Sequence, residues 1–174
     1  MTSDRAASEK DLKRLYLVRH ADAGNPAEWI GPDAERPLSS KGVKQAARLA
    51  AALVAAGTNV GPLRTSPARR CTETCAVIAA ALETTATIDE HLADGPTAAH
   101  VAKLLARRGN DAMLLVGHQP HLGNLVTELT GIAGIPVEKG AMIRIDIAAP
   151  YTPGSGRLVA LVPPATLRAP KSER

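Results

Sequence analysis

Short apolar runs alternate along this chain with helix-length amphipathic stretches, and that alternation limits the fold more than any other feature. Leu15-Tyr16-Leu17-Val18 and Ala112-Met113-Leu114-Leu115-Val116 are near-continuous apolar runs. Runs of that length and makeup read as strands buried on both faces of a mostly parallel sheet. Shorter runs over 60–65 and 84–88 read as two more strands. Between these runs lie helical patterns. Ser39 is placed as an N-cap before Val43, Ala46, Ala50, Leu53 and Val54, with Gly57 as the stop. Ser66-Pro67 pairs a capping residue with a first-turn proline, and Cys71, Cys75, Ile78 and Leu82 follow as a buried stripe. Pro96 opens a third helix with Val101, Leu104 and Leu105 inside and Gly109 as its stop. Leu122, Leu125, Val126 and Leu129 make a fourth, stopped by Gly131. The alternation of Ile143, Ile145 and Ile147 with Arg144 and Asp146 marks a strand with one polar face, and Arg157–Val162 is its hairpin partner. The expected order is β-α-β-α-β-α-β-α-β-β. It predicts an α/β protein: a three-layer α/β/α sandwich around a mostly parallel, mixed sheet. Residues 1–13 read as a flexible leader, 14–163 as a single domain and 164–174 as a flexible tail.

Ligands in open α/β sheets bind beyond the carboxyl ends of the strands. Three expected strand ends carry groups suited to an anion. The first ends in Arg19-His20, the second leads through Ser66-Pro67 to Arg70, and the fourth ends in Gly117-His118. On a helix after Ser66, Arg69 lies opposite the buried stripe, four residues before Glu73, and reads as a solvated ion pair. Arg70 flanks the stripe and is the better placed of the two to reach a site. Two guanidinium and two imidazole groups brought to one edge would clamp a phosphoryl group, with a histidine to attack it. A long loop, 21–37, holds two glycines and three prolines and would cross this edge. No glycine-rich phosphate loop with a following lysine occurs, which argues against a nucleoside-triphosphate site.

Composition excludes other classes. The basic residues are scattered and the net charge is only +4; Tyr16, Trp29 and Tyr151 form no stacking platform, so a nucleic-acid partner is not expected. No apolar stretch approaches the ~20 residues of a membrane span, and residues 1–13 lack the apolar segment of a secretion signal, so no membrane partner is expected and the location expected is cytoplasmic. Cys71 and Cys75, four apart on a helix, read as small buried residues rather than a disulfide or metal pair. His100 falls with Lys103 and Arg107 on a polar helix face and reads as solvated. His91 has no evident role, and His121 reads as a rim residue. No metal and no cofactor are expected, because the arginines supply the positive charge.

Four segments, in order, resemble the histidine phosphatase superfamily, which includes the phosphoglycerate mutases. Leu17-Val18-Arg19-His20-Ala21-Asp22-Ala23 is similar to its Arg-His-Gly signature, with Ala21 in place of the usual glycine. Arg36-Pro37-Leu38-Ser39-Ser40-Lys41-Gly42 is similar to its Pro-Leu-Thr-x-x-Gly segment. Thr65–Thr74 resembles its Ser-Pro-x-x-Arg-Ala-x-x-Thr segment, which assigns the family arginine to Arg70, and Val116-Gly117-His118-Gln119-Pro120 resembles the segment of its second histidine. Gly117-His118-Gln119-Pro120-His121-Leu122-Gly123 and Arg19-His20-x-Asp22-Ala23 most resemble the short bacterial phosphohistidine phosphatases. The resemblance implies a phosphoglycerate-mutase-like fold without a helical cap, since the stretch from Ile88 to Asp111 is too short for the helices that larger members insert there.

It also implies a two-step reaction. His20 attacks phosphorus, Arg19, Arg70 and His118 bind the phosphoryl oxygens, and water hydrolyses the phosphohistidine. Attack needs a neutral His20 whose second nitrogen donates to a backbone carbonyl. The flanking arginines disfavour the charged form of both histidines. Mutase-like relatives carry a glutamate as proton donor in a segment that corresponds loosely to 89–95; Glu90 and Asp94 are candidates there, and Asp22 is a third. The expected substrate is a phosphorylated protein of the histidine-phosphotransfer type. A small phosphorylated metabolite is the alternative, and an inert phosphate-binding module is the reading from another class.

Overall fold

The structure, a computed structural model, describes residues 12–107 and 111–167. Its elements in order are β1 (Leu12–Arg19), α1 (Ser40–Ala55), β2 (Leu63–Thr65), α2 (Arg69–Ala81), β3 (Ala86–Ile88), α3 (His91–Asp94), α4 (Ala98–Leu105), β4 (Ala112–Gly117), α5 (His121–Thr130), β5 (Met142–Ala148) and β6 (Arg157–Val162). Single 3-10 turns lie at Pro26–Glu28, Asp33–Glu35 and Pro164–Leu167. The six strands form one sheet in the order β3-β2-β4-β1-β5-β6. The first four run parallel, with Tyr16 opposite Leu114 and Thr65 opposite Val116. β5 runs antiparallel to both β1 and β6. β4 is therefore inserted between β1 and β2, and the carboxyl ends of three neighbouring strands share one edge.

The apolar runs are continuous because both sheet faces are covered. Leu15 and Leu17 of β1, with Leu115 of β4, face α4 and α5 through Val101, Leu104, Leu125 and Leu129. Tyr16 and Val18, with Leu114 and Val116, face α1 and α2 through Leu49, Leu53, Cys75 and Ile78. With almost no aromatic side chains in the chain, these aliphatic layers carry the core; burying each leucine contributes about 2–3 kcal/mol. The α/β/α sandwich and the mixed sheet are as the alternation predicts. No helix of the described residues is long and apolar enough to cross a membrane.

Several local expectations need correction. Val43 and Val54 are exposed; the buried face of α1 is Gly42, Ala46, Leu49, Ala50 and Leu53. Ser39 does cap α1, accepting the Gly42 N–H. Ser66 does not cap α2, which starts at Arg69 after Ala68 with no side-chain cap. α4 is capped by Thr97, one residue after the proline. β2 and β3 are three residues each, and the expected loop 89–95 contains α3. Asp146 is buried on β5 because Arg144 and Arg157 pair with it. Of the expected leader, Leu12 and Lys13 already belong to β1, and the rest lies outside the described residues, as does Gly109. Of the expected tail, Pro164–Leu167 makes a 3-10 turn and Leu167 packs against the core.

Candidate active site

The strand ends define a cleft of about 510 Å³ that Arg19, His20, Arg70 and His118 all line. His20 follows β1 directly, and its N–H donates to Gly117 O at the end of β4. Its ring is buried, and Nδ1 lies 2.8 Å from Ala21 O. A carbonyl oxygen only accepts, so Nδ1 carries the proton and Nε2 keeps its lone pair. His118 directly follows β4, and its ring centroid lies 5.3 Å from that of His20. Its Nε2 is 2.8 Å from Ser66 Oγ.

The electrostatics keep both rings neutral. Burial pulls His20 down to about 3; the bond to Ala21 opposes this, and the charges of His118, Arg70 and Arg19 add to it. Burial pulls His118 down to about 4, helped by Arg70. The Cys71 thiol lies 3.5 Å from His118 Nε2 but is pushed up to about 12 by burial, so it stays protonated and is no nucleophile.

The arginines are braced from outside. Arg19 donates to Val137 O at 2.8 Å. Arg70, in the first turn of α2, donates to Asp33 O at 2.7 Å and pairs with the Asp33 carboxylate at 3.0 Å. Nε of Arg19 and Nε of Arg70 are buried without a hydrogen-bond partner among the described residues. A buried donor without a partner is costly. Two of them, on cations that line one cleft, fit a site built for an oxyanion. Arg69 pairs with Glu73 at 2.7 Å on the exposed side of α2.

None of the expected proton donors reaches the cleft. Glu90 and Asp94 are exposed, and neither lines it. Asp22 is turned to other partners: Ser39 Oγ donates to it at 2.7 Å, the Gly24 N–H at 3.0 Å, and Lys139 lies 3.7 Å away. Burial would raise its carboxyl, but the Ser39 and Gly24 bonds and the lysine charges hold it below the usual carboxylate value. The only acidic residue among the described residues lining the cleft is Asp33, which sequence reading missed. Its carboxyl is held low first by the Arg36 hydrogen bond and then by Arg70, so it is ionised. Arg36, also missed, is buried and ties the 21–37 loop together by donating to Ala23 O at 2.7 Å. Ser66, expected as a helix cap, instead holds His118. His121 and Lys139 stand on the cleft wall.

The remaining histidines lie apart from the cleft. His100 is not solvated: its side chain is 16% exposed and its Nε2 is 2.9 Å from the buried carboxylate of Asp89. His91 bonds the other oxygen of Asp89.

The model of the histidine phosphatase superfamily (branch 1) matches residues 15–95. No curated protein matches the chain by sequence. The protein histidine phosphatase SixA complexed with tungstate superposes with a TM-score of 0.78 at 22% identity, covering 89% of this chain and 99% of that one. A mutant phosphoserine phosphatase from Entamoeba histolytica, in complex with phosphoserine, superposes at 0.70 with 14% identity over 87% of this chain and 98% of that one. The alpha-ribazole phosphatase from Shigella flexneri gives 0.66 and 19%, over 87% and 97%. At these identities the likeness is one of fold. By sequence, residues 15–95 match the histidine phosphatase superfamily, and by fold the chain is similar to these phosphatases over most of its length.

Proposed function

We propose that this protein is a phosphatase that works through a phosphohistidine on His20, and that its substrate is phosphohistidine on a protein. In the first step His20 Nε2 attacks phosphorus in line. The Nε2–P bond forms as the bond from phosphorus to the leaving nitrogen breaks, and the leaving imidazole takes a proton from solvent. In the second step water attacks phosphorus and the Nε2–P bond breaks, releasing phosphate and returning neutral His20. Arg19, Arg70 and His118 bind the equatorial oxygens as charge spreads over them. The geometry of His20 supports the nucleophile, and the unpartnered arginine nitrogens support the oxygen contacts.

The choice of substrate rests on one observation: the single carboxylate lining the cleft among the described residues is Asp33, ion-paired and ionised, so no carboxylic acid there stands ready to protonate a leaving alkoxide. A phosphoramidate is labile and needs that help less. The cleft is also accessible to a bulky substrate. Between the end of β3 and the start of β4 the described chain holds only α3 and α4, and α4 packs into the core. The superposition on the histidine phosphatase SixA agrees with this reading. A small phosphate ester is the second reading. A 510 Å³ cleft accommodates one, and the alpha-ribazole phosphatase shares the fold.

A parallel hydrolysis assay with chelator present separates the two. One arm uses a phosphohistidine-bearing phosphotransfer domain, and the other a panel of small phosphate esters. Faster release from the protein substrate supports the first reading. Preference for one ester overturns the substrate and keeps the His20 chemistry. Release from neither, with phosphate still bound, makes the protein an inert phosphate-binding module.

A further inference from the structure

A second constellation, outside the cleft, remains without a role in the chemistry above. Asp89 is the residue after β3; its N–H donates to Thr65 O at 2.9 Å, and its side chain is only 5% exposed. His91, on α3, places Nδ1 3.1 Å from Asp89 Oδ1. His100, on α4, places Nε2 2.9 Å from Asp89 Oδ2. The two imidazoles stack with centroids 4.1 Å apart and planes 19° from parallel. The three ligating atoms lie within 4.8 Å of one another.

From this geometry we infer that Asp89, His91 and His100 form a binding site for a divalent transition metal of the zinc class. Two imidazole nitrogens and one carboxylate oxygen are a ligand set for zinc, with bonds of about 2.0–2.2 Å. Each His–Asp contact now spans one hydrogen bond, and an ion replaces the bridging protons after a small shift of the nitrogens. The backbone already fixes two of the three ligands: Asp89 by its bond to Thr65, and His100 through its N–H to the Thr97 cap of α4. His91 is the adjustable one, with 68% of its side chain exposed, and from that side water reaches the fourth position. Arg64 opposes the ion. Its guanidinium lies 3.7 Å from Asp89 Oδ2, and at 23% exposure it has solvent to lean into. A bound ion ties α3 to β3 and α4. Because Ala93 of α3 lines the cleft, the ion braces one cleft wall from behind.

The test is a calorimetric titration of Zn²⁺ into the chelator-treated full chain, with a parallel Co²⁺ titration followed by visible absorption. The wild type is expected to bind one ion at this site, with cobalt bands of a nitrogen–oxygen ligand set. In H91Q/H100Q, whose amides still donate to Asp89, affinity should fall by about 100-fold or more and the bands should vanish; losing an outer-shell partner alone costs about 10- to 100-fold. The single variant H91Q, at an exposed position, gives the same readout should the double variant fail to fold. H20N, which removes a nitrogen from the cleft, should retain the site. Unchanged affinity in both H91Q and H91Q/H100Q, loss of the site in H20N, or no stoichiometric site in the wild type would overturn the inference.

Discussion

Lowering the pH tests the His20 assignment most sharply, because the nucleophile has to be neutral. With its imidazole pulled down to about 3, His20 is only about 1% protonated at pH 5. An imidazole at its ordinary value of 6.5 would be about 97% protonated there, leaving about 3% reactive. Between pH 7 and pH 5 the rate of phosphoryl transfer to His20 should therefore hold nearly constant as far as His20 is concerned, against a fall of about 25-fold for an unshifted histidine, whose neutral fraction drops from about 76% to about 3%. The cause lies first in burial, with the charges of His118, Arg70 and Arg19 behind it. Rapid-quench measurement of the first step at limiting substrate gives the free-enzyme profile, and phosphorus NMR of the substrate alone removes its own ionisation. Nitrogen NMR of the imidazoles assigns each value and shows whether Nδ1 carries the proton. An inflection between pH 6 and 7 that belongs to His20 would refute the reasoning.

The same two rings link stability to pH. Both sit below their unfolded value of 6.5, so as pH falls the unfolded chain binds protons first; the stability they contribute is full above about pH 6.5 and is lost progressively toward pH 4 and 3, which urea melts at pH 7 and 4.5 should show as a drop that H20N/H118N reduces. Ser66→Ala should lower turnover by about 10- to 100-fold, on the order of 1–3 kcal/mol, because it removes the 2.8 Å partner of His118 Nε2; unchanged turnover would mean that His118 needs no such hold. Gly42→Ala should destabilise by about 1–3 kcal/mol or more, since its Cβ would stand 1.9 Å from Asp22 O, a backbone atom two residues beyond His20; thermal melts test it, and wild-type stability would mean that α1 shifts freely.

Much of the fold could be read in the sequence because burial on two faces leaves a plain trace. The β1 and β4 runs are largely apolar, and their abrupt ends in Arg19-His20 and Gly117-His118 mark the edge where the polar groups emerge. The strand order carries no such local trace. Only the insertion of β4 between β1 and β2 makes three tips neighbours. Ser66 shows how local chemistry misleads. Ser-Pro is a sound helix start by itself, but the hydroxyl is taken by a histidine 52 residues away. Asp33 and His100 were hidden for the same reason. Asp33 sits in a polar loop whose value depends on the turn that lays it against Arg70. His100 occupies a polar helix face that happens to meet a buried carboxylate. Glu90 and Asp94 were attractive only by their place in the chain, and the α3 turn leaves both in solvent.

The most direct test of His20 as the nucleophile is to trap the phosphoenzyme. Rapid acid-free quench after mixing with labelled substrate, followed by peptide mapping, should place an alkali-stable, acid-labile phosphoryl group on the peptide carrying His20. H20A should carry no label and turn nothing over. Label on another residue, or turnover retained by H20A, would contradict it.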